Sequence, residues 1–504
     1  PKILNRQKCL SLLTSCSSVP HLLQIQAQIQ TLGLSGDQFL TAQLIKRCSL
    51  SPFADLSYAR FILSHTTNPS RSCFNHVIRG LSHSDTPGQA LAVFSQMRRA
   101  RVAPNEATYP FVLKSCAHLS ALELGKQVHG DCIKKAIDSV VYVQNTLMLL
   151  YGSCRLIGDA RKVFDEMPMR TVVSWNTVLS AHVDGLLCEE AIGLFRRMRF
   201  NEFEPDQTTF VVLLSAAAEL GSLRFGKWIH GQIIGKGFDV NVQLDTAVIN
   251  MYTKCGDLGF ATKVFESMRV RNVWTWSAMI LGYAQHGSAK EALDLFSQMK
   301  ESSIEPNYVT FLGVLCACSH AGLVSEGYRF FNEMVHFHGI KPRMTHYSSM
   351  VDVLGRKGHL VEAYDFINQM KIDPDAVVWR TLLSACQLHS ARDVQGIGEK
   401  VRVRLLELEP RRSGNYVMVA NMFSEIGSWE EAAKVRRRMR DEGLRKVAGE
   451  SCVEVDTMIH RFVSGDDAYS DCECVYDLLD GLSLNMNMVG FKDANFLQEL
   501  KDSF

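Results

Sequence analysis

The stretch VVSWNTVLSA, Val172 to Ala181, returns as VWTWSAMILG at Val273 to Gly282 and, with drift, as RSCFNHVIRG at Arg71 to Gly80. The copies lie about a hundred residues apart, and self-similarity at a fixed period marks a repeat architecture. In the third copy Trp276, Met279, Ile280 and Tyr283 fall at i, i+3, i+4 and i+7, one apolar face of a helix. Gly287 breaks that helix. A second one carries Ala292, Leu295, Phe296 and Met299 at the same spacing and stops before Ile304, Glu305 and Pro306. The unit is a helical hairpin of about 35 residues that cannot bury both faces alone, so it must stack on its neighbours.

Two further hairpins lie between such copies. One is EATYPFVLKSCAHLSALELGKQVHG after Asn105, echoed by QTTFVVLLSAAAELGSLRFGKWIHG from Gln207 and YVTFLGVLCACSHAGLVSEGYRFF from Tyr308. The other is VYVQNTLMLLYGSCRLIGDARKVFDEM from Val141, echoed by VQLDTAVINMYTKCGDLGFATKVFESM from Val242. The superperiod therefore has three parts, two of about 35 residues and one of about 31.

Composition narrows the function classes. A content of 46% hydrophobic and 21% charged residues suits a packed protein rather than a disordered chain. No apolar run is long enough to span a bilayer, so no membrane partner is expected. A net charge of +1 gives no basic field for nucleic acid, so any RNA binding must come from placed side chains. The 15 cysteines are scattered and never spaced C-x-x-C, and Cys116, Cys255 and Cys386 sit in helical apolar patterns, as small buried hydrophobes do. The sequence begins at Pro1, so the lack of an Arg- and Ser-rich leader decides nothing about import.

Phrases such as KCGDLGFATKVF, EEAIGLFRRM and CSHAGLVSEG make nearly the whole chain resemble the plant pentatricopeptide repeat family, in its P-L-S subclass. The resemblance implies an all-α fold, a right-handed α-solenoid superhelix of stacked helical hairpins. It implies degenerate L and S repeats over 1–70, three P-L-S triplets over 71–375, an E segment of two hairpins over 376–445, and a divergent E+ segment with an acidic tail over 446–504. In that family the first helices of the hairpins bind single-stranded RNA, one base per repeat.

Base choice is implied to lie with the fifth and last residues of each P or S repeat. These are Asn75 with Asn105, Asn145 with Thr171, Asn176 with Asp206, Thr246 with Asn272, Ser277 with Asn307, and Ser348 with Asp375. Short polar side chains can hydrogen-bond the edge of a splayed base, and a hydroxyl leaves more room for a purine than an amide does. Helix capping is the ordinary role of such residues, but their fixed phase favours base reading. The family's pairing tendencies imply the site 5′-C-n-Y-U-n-A-A-n-G. Pro110, Val211 and Leu312, at the fifth position of the L repeats, have no side chain that can hydrogen-bond a base. Trp175, Trp276 and Trp379 recur on the apolar stripe and are expected in the core.

From Ala376 the chain resembles the E segment of RNA-editing members. The stretch AGESCVEVDTMIHRFVSGD then resembles the E+ segment through Gly449, Ser451, Glu454, His460, Phe462, Gly465 and Asp466, with Ala448 and Cys452 as departures. A cytidine deaminase needs H-x-E with P-C-x-x-C around zinc. No His here has a Glu two residues later, and the C-x-C pairs Cys316/Cys318 and Cys472/Cys474 have the wrong spacing. No catalytic residue, metal or cofactor is expected. Lys434, Arg436, Arg437, Arg438 and Arg440 crowd one helix end, where the dipole favours cations, and Asp466, Asp467, Asp471, Glu473, Asp477 and Asp480 make the tail acidic.

The resemblance thus implies a non-enzymatic specificity factor for C-to-U editing of organellar transcripts, in the mitochondrion ahead of the chloroplast. Its implied partners are the RNA, a DYW-type cytidine deaminase in trans, and accessory editing proteins on the L repeats. The alternatives are a splicing, stability or translation factor, or a protein-binding scaffold whose repeats would hold a uniform length of about 34 residues.

Overall fold

The computed structural model describes residues 2–238, 241–389, 396–446, 448–455 and 458–463, with Gly481 and Leu484. These residues hold 26 α-helices, almost all paired as antiparallel hairpins, and one short antiparallel β-hairpin. The chain divides into two compact units, Pro1–Val270 and Arg271–Phe504.

In the first unit, Lys2–Ser15, Val19–Thr31, Gln38–Leu50 and Leu56–His65 precede two complete triplets. In the second of these the P hairpin is Val172–Asp184 with Cys188–Phe200, the L hairpin Gln207–Leu220 with Leu223–Lys236, and the S hairpin Val242–Lys254 with Leu258–Ser267. First helices pack on the first helices of the next hairpin, as Tyr109–His118 does on Val141–Ser153 and Gln207–Leu220 on Val242–Lys254. The apolar stripe dictates this: Trp175, Val178 and Leu179 are all buried, with Trp175 edge-on to Phe164 at 4.6 Å between ring centres.

The second unit repeats the scheme with Val273–Gln285 and Ala289–Glu301, then Tyr308–Ala321 and Val324–Asn332, then Met344–Arg356 and Leu360–Asn368. Trp276, Met279, Ile280, Ala292, Leu295, Phe296 and Met299 are buried, as their spacing requires. Gly313 lets the helices Val273–Gln285 and Tyr308–Ala321 touch: a Cβ there would stand 3.0 Å from the Leu281 nitrogen. Two more hairpins follow over the span expected of the E segment, Ala376–Leu388 with Ile397–Leu408 and Ser413–Glu425 with Trp429–Asp441. Trp379 and Leu382 join Val401 and Leu405 in its core.

Two local features depart from a uniform array. The interval from Val324 to Met344 is one residue longer than those from Leu122 to Val141 and Leu223 to Val242. A single π-helical turn, Glu333–Phe337, takes up the extra residue inside the second helix. The other is the β-hairpin, Glu450–Val455 paired with Met458–Val463, in which Ser451 stands opposite Phe462. The alternation in ESCVEV fits a strand, and this pairing gives the E+ stretch its form. Gly465, Asp466, the acidic tail and the Cys472/Cys474 pair lie outside the described residues.

Candidate nucleic-acid interface

The last residues of the repeats begin the following helices, and most cap them. Thr171, Asp206, Asn272, Asn307 and Asp375 are N-caps whose side chains accept backbone N–H groups of the first turn. The ordinary role of these residue types is therefore real. It uses one side-chain atom, and what the other atoms do depends on the repeat.

In the P repeats a threonine from the next hairpin joins the fifth and last residues. Asp206 Oδ1 accepts the Asn176 amide at 2.9 Å and the Thr209 backbone N–H at 2.8 Å, and lies 2.9 Å from the Thr209 hydroxyl, whose one proton it shares with Asn176 Oδ1. The Thr209 hydroxyl also lies 2.7 Å from Asn176 Oδ1. A carboxylate only accepts, so Asn176 must turn its NH2 to Asp206 and its oxygen to Thr209. One Asn176 N–H and Asp206 Oδ2 are left, a donor beside an acceptor. That pair matches the oxygen and N3–H of uracil. Burial pulls the Asp206 carboxyl upward, but the Thr209 N–H, the Asn176 amide and the Thr209 hydroxyl outweigh it and hold the group below the ordinary aspartate range.

The first triplet has the same arrangement with one atom changed. Asn75 Nδ2 donates to Asn105 Oδ1 at 3.2 Å, and Thr108 Oγ1 stands 2.7 Å from Asn75 Oδ1 and 3.0 Å from Asn105 Oδ1. Asn105 offers Nδ2 where Asp206 offers Oδ2, so two donors face outward. Two donors match the N3 and O2 acceptors of cytosine. In the third triplet Ser277 Oγ lies 2.7 Å from Thr310 Oγ1 and 3.2 Å from Asn307 Oδ1. Asn307 Oδ1 also takes the Val309 and Thr310 N–H groups, and its Nδ2 is buried without a protein partner. A buried donor left open is costly unless something fills it.

The S repeats are built more loosely. Ser348 and Asp375 line one open cavity of 410 Å³ with Leu312, Met344, Val377 and Thr381. No side-chain bond joins the pair: Ser348 Oγ meets Thr381 Oγ1 at 3.3 Å, and Val378 stands where the P repeats place threonine. Thr171 is tied to Ser174 in a capping box, while Asn145 Oδ1 is buried without a partner. Thr246 donates to the Val242 carbonyl and borders a cavity of 210 Å³ with Val211, Gln243 and Lys254. Asn272 belongs to the second unit and caps Val273–Gln285.

Burial differs from a solvated helix face. Asn176 is 6% and Ser277 1% exposed. Sequence reasoning missed the neighbours three residues earlier, which share a helix face with the fifth positions. Tyr142, Val173 and Trp274 are 77%, 60% and 48% exposed, while the polar Ser72, Gln243 and Thr345 hold that place before Asn75, Thr246 and Ser348. The signal of Tyr142, Val173 and Trp274 was an apolar residue off the core stripe at the second helical position. An exposed apolar group one turn from a hydrogen-bonding group suits a flat ring with a polar edge.

No group of three or more His, Cys, Asp or Glu gathers at metal-binding distance among the described residues. Burial pushes the Cys318 thiol up to about 12, away from the thiolate a metal needs. No helix among the described residues is long and apolar enough to cross a membrane. In the basic cluster, Lys434 pairs with Glu431 and Arg438 with Glu442, on a largely exposed helix.

Comparison with known proteins places the chain in a class of helical-repeat proteins. The PPR repeat family matches residues 69–118, 170–219 and 271–320, single PPR repeats match 145–172, 246–273, 309–338 and 345–373, and the E motif matches 393–454. A pentatricopeptide repeat-containing protein of Arabidopsis thaliana is 51% identical over 476 residues, covering 94% of this chain and 95% of the relative. A second from the same plant is 36% identical over 490 residues, covering 90% and 92%, and a third, named chloroplastic, is 37% identical over 488, covering 97% and 80%. The chain belongs to the pentatricopeptide repeat family. Among solved structures, maize PPR10 aligns with a TM-score of 0.38 at 17% identity, covering 84% of this chain and 72% of that one. Its complex with an 18-nt psaJ RNA element aligns with a TM-score of 0.34 at 16% identity, covering 89% and 83%.

Proposed function

We propose that this chain recognises one single-stranded RNA site in an organellar transcript and brings a DYW-type cytidine deaminase, supplied by another chain, to a cytidine downstream of it. The observation that carries the reading is the donor and acceptor set left over at the P repeats. Asn75 with Asn105 offers two donors, Asn176 with Asp206 a donor and an acceptor, and Ser277 with Asn307 a buried donor beside a small hydroxyl. These fit C, U and A in the order that the family's pairing tendencies imply. The E motif match at 393–454 supports editing rather than another use of the same groove. Relatives named chloroplastic and chloroplastic/mitochondrial support an organelle, and the L repeats are open to accessory proteins.

The test is binding of the purified chain to RNAs carrying 5′-C-n-Y-U-n-A-A-n-G, each read base varied in turn at fixed salt. Base-specific losses at the U and A positions are expected; equal affinity for all four bases rejects the reading. Transcript sequencing after loss of the protein separates editing, where one cytidine stays unconverted, from splicing or stability roles.

A further inference from the structure

The third L repeat carries a cation where the other two do not. Its first residue is Tyr308 and its last is Arg343, whose guanidinium carbon sits 3.5 Å above the centre of the Tyr308 ring. In the second L repeat the same stations are Gln207 and Asn241, which hydrogen-bond each other at 2.7 Å, and in the first they are Glu106 and Val140. The Arg343 stack is anchored by the fully buried His346. His346 Nδ1 accepts the Arg343 backbone N–H at 2.9 Å, so the ring proton stands on Nε2, which donates to the Tyr308 carbonyl at 2.7 Å. One imidazole thus ties together the backbones of the two stacked residues. Trp274 in turn meets Tyr308 edge-on, with 6.2 Å between ring centres.

Stacking uses the flat face of a guanidinium and leaves its N–H groups pointing outward in the plane. Arg343 is exposed, and no carboxylate among the described residues pairs with it. Lys254, Arg356 and Arg380, also on first helices, are neutralised by Glu219, Asp352 and Glu409. The row Trp274, Tyr308, Arg343 runs between two slots of the same unit. Trp274 lies one turn before Ser277, Tyr308 directly follows Asn307, and Arg343 directly precedes Met344 and Thr345, which line the Ser348 and Asp375 cavity with Leu312.

We infer that Arg343, held flat on Tyr308, binds a backbone phosphate of the RNA beside the nucleotide between the A facing Ser277 and the G facing Ser348. The inference rests on the proposed RNA reading. A net charge of +1 supplies no field to hold an RNA backbone, so an unpaired guanidinium fixed between two slots counts for more than one among many. Its fork can give two N–H groups to one phosphate. Leu312, the fifth residue of this repeat, offers no polar contact to a base, and Arg343 gives the repeat a hold on its nucleotide that does not depend on the base carried.

The experiment measures binding of the intact chain and of Arg343→Gln to 5′-C-n-Y-U-n-A-A-n-G over a series of salt concentrations. A neutral methylphosphonate is placed in turn at the two linkages flanking the last n. On the unmodified RNA, Arg343→Gln should lower the slope of log affinity against log salt by about 0.7, the release of one counterion from a single strand, and weaken binding by about threefold or more at low salt. Arg343→Lys should keep the slope, because it keeps the charge. One of the two methylphosphonates should weaken the intact chain by a similar factor and leave Arg343→Gln unaffected. An unchanged slope in Arg343→Gln, with the preference for U at Asn176 intact, overturns the inference alone. So does a failure of both methylphosphonates to weaken the intact chain, which needs no variant. A loss that differs by more than about fivefold among the four bases at the last n also overturns it, since a phosphate contact is blind to the base. Absence of RNA binding by the intact chain rejects the proposed reading itself, and the phosphate contact falls with it.

Discussion

The slots at Asn176 and at Ser348 stand on the same hairpin frame and are held in different ways. At Asn176 a threonine from the next hairpin locks the amide and the carboxylate of Asp206 into one network. At Ser348 the matching position is Val378, and the pair faces an open cavity. Locking consumes most of the hydrogen-bonding capacity and leaves one donor and one acceptor in fixed places. An unlocked slot keeps its capacity and must order itself around a ligand. If these positions read bases as proposed, one residue of the following helix, rather than the repeat frame, sets how strictly each discriminates.

Removing the scaffold beneath the locked slot should have the largest effect. Trp175→Ala takes out a buried ring packed on Phe164 and should lower stability by about 3–5 kcal/mol, read as a fall in the denaturation midpoint. Rewriting the slot comes next: Asn176→Thr with Asp206→Asn should shift preference there from U toward A by about 1–3 kcal/mol, and equal weakening for all four bases would refute direct reading.

The comparison itself is sharpened by a matched pair. Thr209→Val leaves Asn176 Oδ1 unsatisfied and should cost about 1–2 kcal/mol of stability together with the U preference. Thr381→Val, beside the open slot, loses a 3.3 Å contact to Ser348 and an exposed bond to the Val377 carbonyl of its own helix, and should change stability by less than about 0.5 kcal/mol. The smallest effect concerns acid. Because the Asp206 pKa is lowered on folding, its stabilising contribution is complete above the ordinary aspartate value and is lost as pH falls through the lowered one. Preference for U should thus be unchanged from neutral pH down to about 5 and fade only below about 4, which a titration of U against C affinity would detect.

Most of the scaffold was legible in the sequence because helix periodicity and hairpin stacking are local. Trp276, Met279, Phe296 and Met299 announce their burial by spacing alone. The fifth and last residues were legible as a phased polar pair. Their third partners were not. Thr108, Thr209 and Thr310 read as ordinary first-turn threonines, and only the stacking of one hairpin on the next brings them to a side chain some thirty positions earlier. The β-hairpin at 450–463 did leave an alternating pattern, but the helical context drew attention from it.

The π-helical turn at Glu333–Phe337 has a consequence for how such a chain changes over generations. A residue gained in the second helix of a hairpin is swallowed there, and the first helices on either side still meet along their usual faces. The outer layer thus acts as a buffer for insertions. Chain length can drift on that side while the spacing between neighbouring first helices, and with it the order of any letters they are proposed to read, passes unchanged to the descendants.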